Sequence, residues 1–295
     1  MRSYGTVSDA AGNFRKLAAQ LLMKSTPMFK SLRRISILAL TAAGIASSAQ
    51  AQSSWTISRP GSYKLYANHQ VATGDGIVIT SPNVTLDLNG FQVSTAARGT
   101  GRGIVMDHVK GVSVKNGRVS GFNANVAVLN TESAIISQLQ ILGDNLAPVG
   151  GPTEIGILLV NSRGCLVSEN VITATNLGLF VRGGGSSGNR LTKNVLTGGA
   201  IAGRNLLGIC YNPAPTPAGG TANPAGPRGD SIYNNHITRF GFAVAVSTGS
   251  VSNVFTDNIL AGFTGPFREP TAFTAQGGTN VEADNSAVII PTTDL

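Results

Sequence analysis

Residues 166–170 of the chain read Leu-Val-Ser-Glu-Asn, and residues 191–194 read Leu-Thr-Lys-Asn. Each is a short run of apolar and polar residues that ends at an asparagine, and the two asparagines lie 24 residues apart. Successive segments of this type end 27, 23, 31, 24, 41 and 23 residues apart, so the repeat is near 24 residues and two repeats carry insertions. The other five segments occupy residues 84–89, 112–116, 135–139, 232–235 and 254–258.

A second short pattern lies between these segments, in which a small residue is followed by three mostly apolar ones. It occupies residues 103–106, 125–128, 156–159, 178–181 and 208–211. Short strands separated by Asn and Gly turns at a fixed period are typical of a parallel β-solenoid, whose turns of three strands stack about 4.8 Å apart. The sequence therefore predicts an all-β parallel helix of about seven turns, whereas the alternative, a sandwich, would need hairpin turns. Asparagine is predicted at one corner of six turns, where it tolerates a left-handed backbone and bonds along the axis, and Leu139 takes that corner in the seventh.

Three segments near the start of the repeats carry a family resemblance. They are Ile57-Ser-Arg-Pro60-Gly61-Ser-Tyr63-Lys-Leu65, Gly74-Asp75-Gly76-Ile77 and Val84-Thr-Leu-Asp87-Leu-Asn89-Gly90. The chain resembles the right-handed parallel β-helix proteins of the pectate-lyase-like superfold, in particular the bacterial right-handed β-helix repeat family, which includes periplasmic proteins of copper-enzyme maturation. The resemblance spans roughly residues 55–265 and implies a right-handed helix with a substrate groove over the first strand of each turn. It implies no single activity, because the superfold hosts lyases, hydrolases, epimerases, adhesins and maturation factors.

The composition excludes several classes of protein. Only 12% of the 295 residues are charged, while glycine (37) and proline (13) are abundant, which argues against a coiled coil, a helix bundle and a charge-rich disordered chain. Residues 1–51 hold seven of the 22 Lys and Arg residues and one of the 14 acids, so the remainder carries a net charge of only +2. Binding to nucleic acid through bulk charge is therefore not expected.

The N-terminal residues have the pattern of an export signal. Residues 29–34 are basic, residues 35–46 are apolar but too short for the ~20 residues of a membrane span, and residues 49–51 read Ala-Gln-Ala, a typical cleavage site. We predict a leader over residues 1–51 with Met28 as the true start, a β-helix domain over residues 52–265, and a C-terminal cap or tail over residues 266–295. The mature chain is expected to be secreted or periplasmic, in a bacterium, with no stable membrane anchor.

The outer face of the first strand in each turn is the candidate functional surface. Alternation of side chains predicts that Ile104, Met106, Val126, Val128, Ile157, Leu159, Leu179, Val181, Ile209 and Tyr211 point into the core. The next residue of each strand then points outward and forms a column of Asp107, Leu129, Val160, Arg182 and Asn212. Segments that depart from the repeat flank this face, where long loops either carry function or are insertions that a solenoid tolerates. They are residues 94–102 with Arg98 and Arg102, 143–154 with Asp144 and Glu154, 197–207 with Arg204, and 213–228 with Arg228.

The arginines point to an acidic polysaccharide, such as a polyuronate, as the partner, because arginine binds a carboxylate through two parallel hydrogen bonds. In β-elimination a cation neutralises the uronate carboxylate and a base removes the C5 proton. Arg182 is the candidate cation, and His108 beside Asp107, or Lys110, is the candidate base. Asp107 and Arg182 lie three turns apart, about 14 Å, so they would serve different sugar subsites. Substrate binding is assigned to the flanking residues Arg98, Arg102, Asp144, Glu154, Arg204 and Arg228.

Two classes of function remain open on the sequence alone. The arginines and flanking loops favour an exported enzyme of lyase or epimerase type that acts on an acidic polysaccharide. Hydrolysis would need two carboxyl groups about 5–9.5 Å apart, for which Asp144 and Glu154 are the candidates. Sparse acids favour the alternative, a non-catalytic glycan-binding, surface or periplasmic maturation protein.

No metal or cofactor is expected from residue spacing. His69, His108 and His236 form no HxH or HxxH pattern, and Met106 is the only methionine outside the leader. A calcium ion at Asp107, Asp144 and Glu154 remains an alternative, although no ligand spacing supports it. Cys165 and Cys210 could form a disulfide in an oxidising compartment or remain as two buried thiols.

Overall fold

The computed structural model describes residues 51–143, 154–199, 206–212, 225–246, 249–268 and 280–289. By its internal contacts the chain divides into Met1–Ala46 and Ser47–Leu295, and every described residue lies in the second unit. These residues form one sheet of 23 strands whose pairings are all parallel, and none of them belongs to a helix that could cross a membrane.

The strands are arranged in rungs, each of which contributes to three faces, A, B and C, in chain order. The first four rungs comprise β1 (Trp55–Ile57), β2 (Gly61–Lys64) and β3 (His69–Val71); β4 (Ile77–Ile79), β5 (Val84–Asp87) and β6 (Gln92–Thr95); β7 (Arg102–Asp107) and β8 (Ser113–Ser120); and β9 (Ala124–Leu129) and β10 (Ile135–Leu142). The long strands β8 and β10 each turn from face B to face C.

The remaining rungs continue the same order. They comprise β11 (Ile155–Val160), β12 (Leu166–Ser168) and β13 (Val171–Thr173); β14 (Leu177–Arg182), β15 (Arg190–Thr192) and β16 (Val195–Thr197); β17 (Leu207–Asn212), β18 (Ser231–Tyr233) and β19 (His236–Val246); β20 (Val254–Thr256) and β21 (Ile259–Arg268); and β22 (Val281–Ala283) and β23 (Ser286–Ile289). Strands β19 and β21 begin on face C and end on face A of the next rung.

The described residues therefore form a parallel β-helix, as the repeat predicted, but with nine rungs rather than about seven. The first rung was missed because β2 does not end at an asparagine. The ninth rung lies beyond residue 265, where the sequence predicted a cap or tail, yet β22 pairs in register with β20 and β23 with β21. The stack thus continues past the predicted domain boundary.

Alternation along each strand builds the core as predicted. The ten face A residues expected inside, from Ile104 to Tyr211, are all fully buried. One apolar cluster runs through the interior, and its largest members are Tyr211, Phe122, Phe240 and Phe255. At the start of face A the space is too small for a side chain, since a Cβ on Gly178 would lie 2.5 Å from the Gly208 carbonyl oxygen. This crowding explains why four of the five copies of the second sequence pattern begin with glycine.

The corner between faces B and C carries the asparagine ladder, but its membership corrects the prediction. Strand register aligns Asn170, Asn194, Asn235, Asn258 and Asn285, and each amide bonds to the next along the axis. Leu139 lies in this column and ends the ladder, as expected, by donating its N–H to Asn170 Oδ1 (3.0 Å). Asn116 instead aligns with Gln138 and Glu169 in the exposed left-handed column one residue earlier, because β8 and β10 pair one residue out of the predicted alignment. Asn89 lies outside the ladder, in the turn between β5 and β6.

Cys165 and Cys210 are both buried and do not form a disulfide. Cys165 lies inside the corner between faces A and B, and Cys210 lies on the outer side of face A. Burial raises the pKa of the Cys165 thiol to about 11. The alternative of two separate buried thiols is therefore the one that the structure adopts.

Candidate functional site

The predicted outward column of face A is present in the predicted register. Asp107 pairs with Leu129, Leu129 with Val160, Val160 with Arg182, and Arg182 with Asn212, so five successive rungs each contribute one residue. We call these five residues the site column. At the strand spacing, Asp107 and Arg182 are about 14 Å apart, so they cannot act on one reacting atom.

The first residue after the site column has a left-handed backbone in four successive rungs. His108, Asn130, Asn161 and Gly183 have φ between 48° and 85°. Asn, Gly and His tolerate this conformation better than most residues, which explains the local sequence. The backbone turns sharply here, so each strand of face A ends at the same edge and its side chains line one rim.

A polar cluster occupies the start of the site column. His108 Nδ1 lies 2.7 Å from Asp107 Oδ1, and the Asn130 side-chain amide donates to the same oxygen (3.2 Å). The His108 side chain is 75% exposed, so its Nε2 is open to solvent on the face opposite Asp107. A carboxylate that holds one ring nitrogen of an exposed histidine orients the other nitrogen for proton transfer.

A second column lies at the corner after the site column, where isolated bridges align Lys110, Glu132, Arg163, Ser187 and Arg228. We call these residues the corner column. Glu132 binds Lys110 Nζ (3.5 Å) and Arg163 Nε (3.2 Å) and thus neutralises part of the charge. Lys110, predicted as an alternative base, is therefore engaged as a cation in an exposed ion pair. Arg228, predicted among the flanking residues, lies exposed in this column.

Arg182 differs from the other cations of this region. It is partly buried at the end of β14, and its neighbours in the site column, Val160 and Asn212, are neutral. Among the described residues no acid forms an ion pair with Arg182. Its guanidinium therefore presents an uncompensated positive charge to whatever occupies the face.

The rest of the outer side of face A is apolar, which the sequence reasoning did not anticipate. Val105, Ala127, Leu158, Phe180, Cys210 and Ala245 align in one outward column. Cys210 and Ala245 pack with Leu207 in a second apolar cluster, against which Phe180 and Phe242 are partly buried. Val105, Ala127, Cys210 and Ala245 are buried, with at most 6% of their surface exposed, so the accessible part of this side is the edge that the site column forms. The first five residues of this apolar column each lie two positions before a site-column residue, so the column could have been predicted from the sequence.

The predicted flanking residues do not form one rim. Arg102 is held by Asp75, which accepts from its Nε (3.1 Å) and its Nη2 (2.6 Å), and this bonding raises the pKa of Arg102 above its ordinary value. Glu154, which directly precedes β11, is buried, with 6% of its surface exposed. Arg98 lies exposed in the turn before β7. Asp144 and Arg204 lie outside the described residues, so the predicted hydrolase pair of Asp144 and Glu154 has no geometry here.

Sequence reasoning missed Asn130, Glu132 and Arg163. The bond of Asn130 to Asp107 follows from the register of β7 and β9, which places the two residues in neighbouring rungs. The signal for Glu132 and Arg163 was their position three residues after the site column, the same position that Lys110 holds. Within the described ranges, no three His, Cys, Asp or Glu side chains come together in a way that could hold a metal ion.

A shallow groove of about 280 Å³ lies on face C, away from the site column. Its outward side chains come from β6, β8, β10 and β13, and the Arg118 Nε donates to Gln140 Oε1 (3.0 Å) within it. The full lining is Gln92, Arg118, Val119, Ser120, Gln140, Ile141, Leu142, Val171 and Thr173.

Comparisons with known proteins return distant structural similarity. No protein-family model matches the sequence, and no curated protein matches it. An alginate lyase from Paenibacillus sp. str. FPU-7 is 12% identical, with 82% of this chain and 91% of that chain covered and a TM-score of 0.47. The Dettilon tailspike protein is 12% identical over 79% of this chain with a TM-score of 0.46, and the matched part is 51% of that protein, about half its length. A DFA-IIIase from Arthrobacter chlorophenolicus A6, in a mutant form bound to DFA-III, is 9% identical over 77% of this chain and 70% of that chain, with a TM-score of 0.36.

Proposed function

We propose that the protein binds an acidic polysaccharide along the edge of face A that the site column and the corner column form. Arg182 carries the proposal, because it is a partly buried cation among neutral neighbours and has no acidic partner among the described residues. A carboxylate can accept two parallel hydrogen bonds from a guanidinium, which gives both affinity and orientation.

The charge around the site column also suits an anionic chain. Lys110, Arg163 and Arg228 lie in the corner column with only Glu132 to balance them. The partly buried Leu129 and Val160 of the site column would contact the C–H faces of sugar rings, while the cations meet the carboxylates. A polymer that runs along the helix axis would contact several rungs at once.

The binding proposal is tested by titrating the mature chain with polygalacturonate and with a neutral glucan. We expect Arg182→Gln to weaken binding of the polyuronate about tenfold, the size of one charge-assisted hydrogen bond. Arg190→Gln, which removes an exposed arginine at the start of β15 on face B, is the matched control and should change affinity little. Equal affinity for the neutral glucan, or equal losses in the two variants, would contradict the proposal.

A finer proposal is that the site performs β-elimination at the Asp107 end. His108 Nε2 would take the C5 proton of a uronate, the C4–O bond would break as the C4=C5 double bond forms, and the leaving oxygen would take a proton from solvent. The observation that favours this chemistry is the short Asp107–His108 contact, which orients an exposed imidazole. Lys110, two residues away, would offer the nearby positive charge.

The elimination is tested by the ultraviolet absorbance of the unsaturated product. His108→Gln should abolish it, whereas His236→Gln, on the exposed side of face C, should not. Because Arg182 lies three rungs from His108, Arg182→Gln should raise KM and leave kcat unchanged. Binding of polyuronate without any unsaturated product would leave a non-catalytic glycan-binding protein, the second function considered.

We also propose that the chain is exported with cleavage after Ala51, on the basis of the leader pattern alone. N-terminal sequencing of the protein recovered from the periplasm and from the medium of an expressing bacterium tests this proposal. A mature chain that begins at Gln52 is expected, and an intact leader on the recovered protein would contradict it.

A further inference from the structure

A second buried polar ladder runs along the corner between faces A and B, and it contains one acid. Its members are Asn189, Asp230, Asn253 and Asn280, each of which immediately precedes a strand of face B. Asp230 and its two neighbours are completely buried. A carboxyl group therefore takes the place of an amide in the interior of the helix.

The other rungs show what an amide does at such a position. In the corner between faces B and C, Asn194 Nδ2 donates to Asn235 Oδ1 (3.0 Å) and to the Val167 carbonyl oxygen (2.9 Å). Asn253 Nδ2 does the same in the second ladder, with Asn280 Oδ1 (3.0 Å) and the Pro227 carbonyl oxygen (3.2 Å). Each amide nitrogen thus faces acceptors and links its rung to the next.

Asp230 reproduces only half of this pattern. Its Oδ1 accepts from the Asn189 backbone N–H (2.7 Å) and from Asn189 Nδ2 (3.2 Å), as a ladder Oδ1 does. Its Oδ2 accepts from the Tyr211 hydroxyl (3.2 Å) and from Asn189 Nδ2 (3.3 Å), whereas the amide nitrogen of a ladder asparagine would donate. Asn253 Oδ1, which receives an amide hydrogen in the other rungs, receives only the Asp230 backbone N–H (3.1 Å). One donor is missing between Asp230 and Asn253.

The surroundings of Asp230 do not compensate a negative charge. The described titratable groups that act on it are Tyr211, from β17, and Cys165, which precedes β12. Burial raises the pKa of Tyr211 well above its ordinary value and that of Cys165 to about 11, so both are neutral in ordinary buffers. Among the described residues, no Lys, Arg or His forms an ion pair with Asp230.

We propose that Asp230 is a proton-binding site of the folded helix: its neutral carboxylic acid donates to Asn253 Oδ1 and completes the ladder, and its ionisation breaks that link. The proton binds in the same rung as Tyr211. Tyr211 directly precedes Asn212 of the site column in β17. This rung is therefore held most firmly in mild acid, and it loosens as Asp230 ionises. The proposal is independent of the ligand that face A binds.

The direction of the titration agrees with this geometry. Burial raises the pKa of Asp230 from its ordinary value of 3.8 to about 6, against the opposing hydrogen bonds from Asn189 and Tyr211. The folded state therefore holds a proton that the unfolded chain has lost between these two values. Over that window the unfolding equilibrium constant rises about tenfold per pH unit, and stability is lost as the pH increases.

Chemical unfolding of the mature chain and of Asp230→Asn, followed between about pH 4 and about pH 7, tests the proposal. The asparagine supplies the missing donor at every pH. Relative to this variant, the unfolding constant of the natural chain should rise by about a hundredfold across the range. Parallel pH profiles for the two proteins would overturn the proposal. Asp257→Asn, which changes an exposed aspartate at the other corner, is the control and should follow the natural chain.

A second measurement follows the protonation of Asp230 itself, without a substitution in the ladder. The side-chain carboxyl carbon of Asp230, assigned by NMR, should titrate near pH 6, and Tyr211→Phe should move its midpoint upward because the charged form loses a donor. A midpoint near that of an exposed aspartate would overturn the proposal. Hydrogen exchange locates the effect: with rising pH, the amide of Asp230, which donates to Asn253 Oδ1, should lose protection relative to the Asp230→Asn variant, while those of Asn170 and Asn194 should not.

Discussion

The two inner corners of this helix use the same ladder with different chemistry. Between faces B and C, five stacked asparagines bond to one another, and each satisfies the backbone of two rungs. Between faces A and B, an aspartate interrupts an otherwise identical series. The amide ladder carries both donor and acceptor at every step, whereas the carboxylate can only accept. One atom thus separates a purely structural column from one that responds to protons.

The comparison also shows why the corner beside the proposed site is the more polar one. The corner between faces B and C has one exposed left-handed column and no ion pairs among its described residues. The corner between faces A and B has two left-handed columns, near His108 and Gly111, with the corner column between them. The extra residues in each rung give that corner room for outward charged side chains.

The largest effect is expected where the amide ladder is continuous. Asn235 Oδ1 accepts two bonds from Asn194, and its Nδ2 donates to the Leu191 carbonyl oxygen (2.8 Å) and to Asn258 Oδ1 (3.0 Å). Asn235→Leu should lower the free energy of unfolding by about 4 kcal/mol, because several buried groups lose their partners. Denaturant unfolding measures this loss.

The end of the same ladder provides the comparison for that substitution. Asn170→Leu should cost about half as much, since Asn170 Oδ1 accepts only the Leu139 N–H, whereas Asn235 Oδ1 accepts two bonds from Asn194. Equal losses at Asn170 and Asn235 would contradict the view that continuity along the axis supplies the stability.

An aspartate placed in the amide ladder between faces B and C should make the stability of that ladder depend on pH as well. Asn194→Asp places a carboxyl at a completely buried position that has no tyrosine donor. We expect a loss of about 3 kcal/mol at neutral pH that shrinks in mild acid, as for any acid whose charged form is penalised by burial. An unfolding free energy that is lower by the same amount at both pH values would show that the ladder tolerates or rejects the acid irrespective of its charge.

His69 should give a pH response of the opposite sign. It is buried in β3, where its Nε2 lies 3.2 Å from the Gly76 carbonyl oxygen, and burial lowers its pKa below the ordinary 6.5. Its neutral form is favoured in the fold, so the stability it contributes is present above pH 6.5 and is lost as the pH falls. His69→Gln should remove this acid-side loss and leave the opposite slope that Asp230 causes between its ordinary pKa of 3.8 and about 6. A steeper acid-side loss in the variant would contradict the assignment.

The smallest effect is expected at the exposed ion pairs of the corner column. Glu132 is 39% exposed and bonds to Lys110 and Arg163, so Glu132→Gln should change the free energy of unfolding by less than about 1 kcal/mol. The same substitution should strengthen polyuronate binding because it frees two cations. A weaker interaction with polyuronate would count against the proposed orientation of the ligand.

The sequence could predict the fold because the repeat acts on every rung in the same way. Alternation placed Ile104, Met106 and Tyr211 inside and Asp107 and Arg182 in one outward column, and both predictions are confirmed. The register of the second ladder could not be read, because Cys165, Asn189 and Asp230 share no residue type. The asparagine of β8 was misplaced because a one-residue shift leaves the apolar pattern nearly unchanged on a strand that turns from one face to another.

The candidate site was only partly predictable for a physical reason. The site column follows from strand register, which the repeat determines. The positions of Arg102 and Glu154 depend instead on the segments that precede face A. In the structure Arg102 binds Asp75, whereas Glu154 is buried. Short-range contacts of this kind leave no periodic signal in a single sequence.

The central functional claim is that an acidic polysaccharide lies along the edge of face A. NMR chemical-shift mapping of the mature chain with oligogalacturonate tests it most directly. The account predicts that saturating ligand shifts the amides of residues 107–110, 129–132, 160–163 and 182–187, and leaves those of β13 and β16 on face C unchanged. Shifts confined to face C, or no shifts at saturating oligogalacturonate, would contradict it.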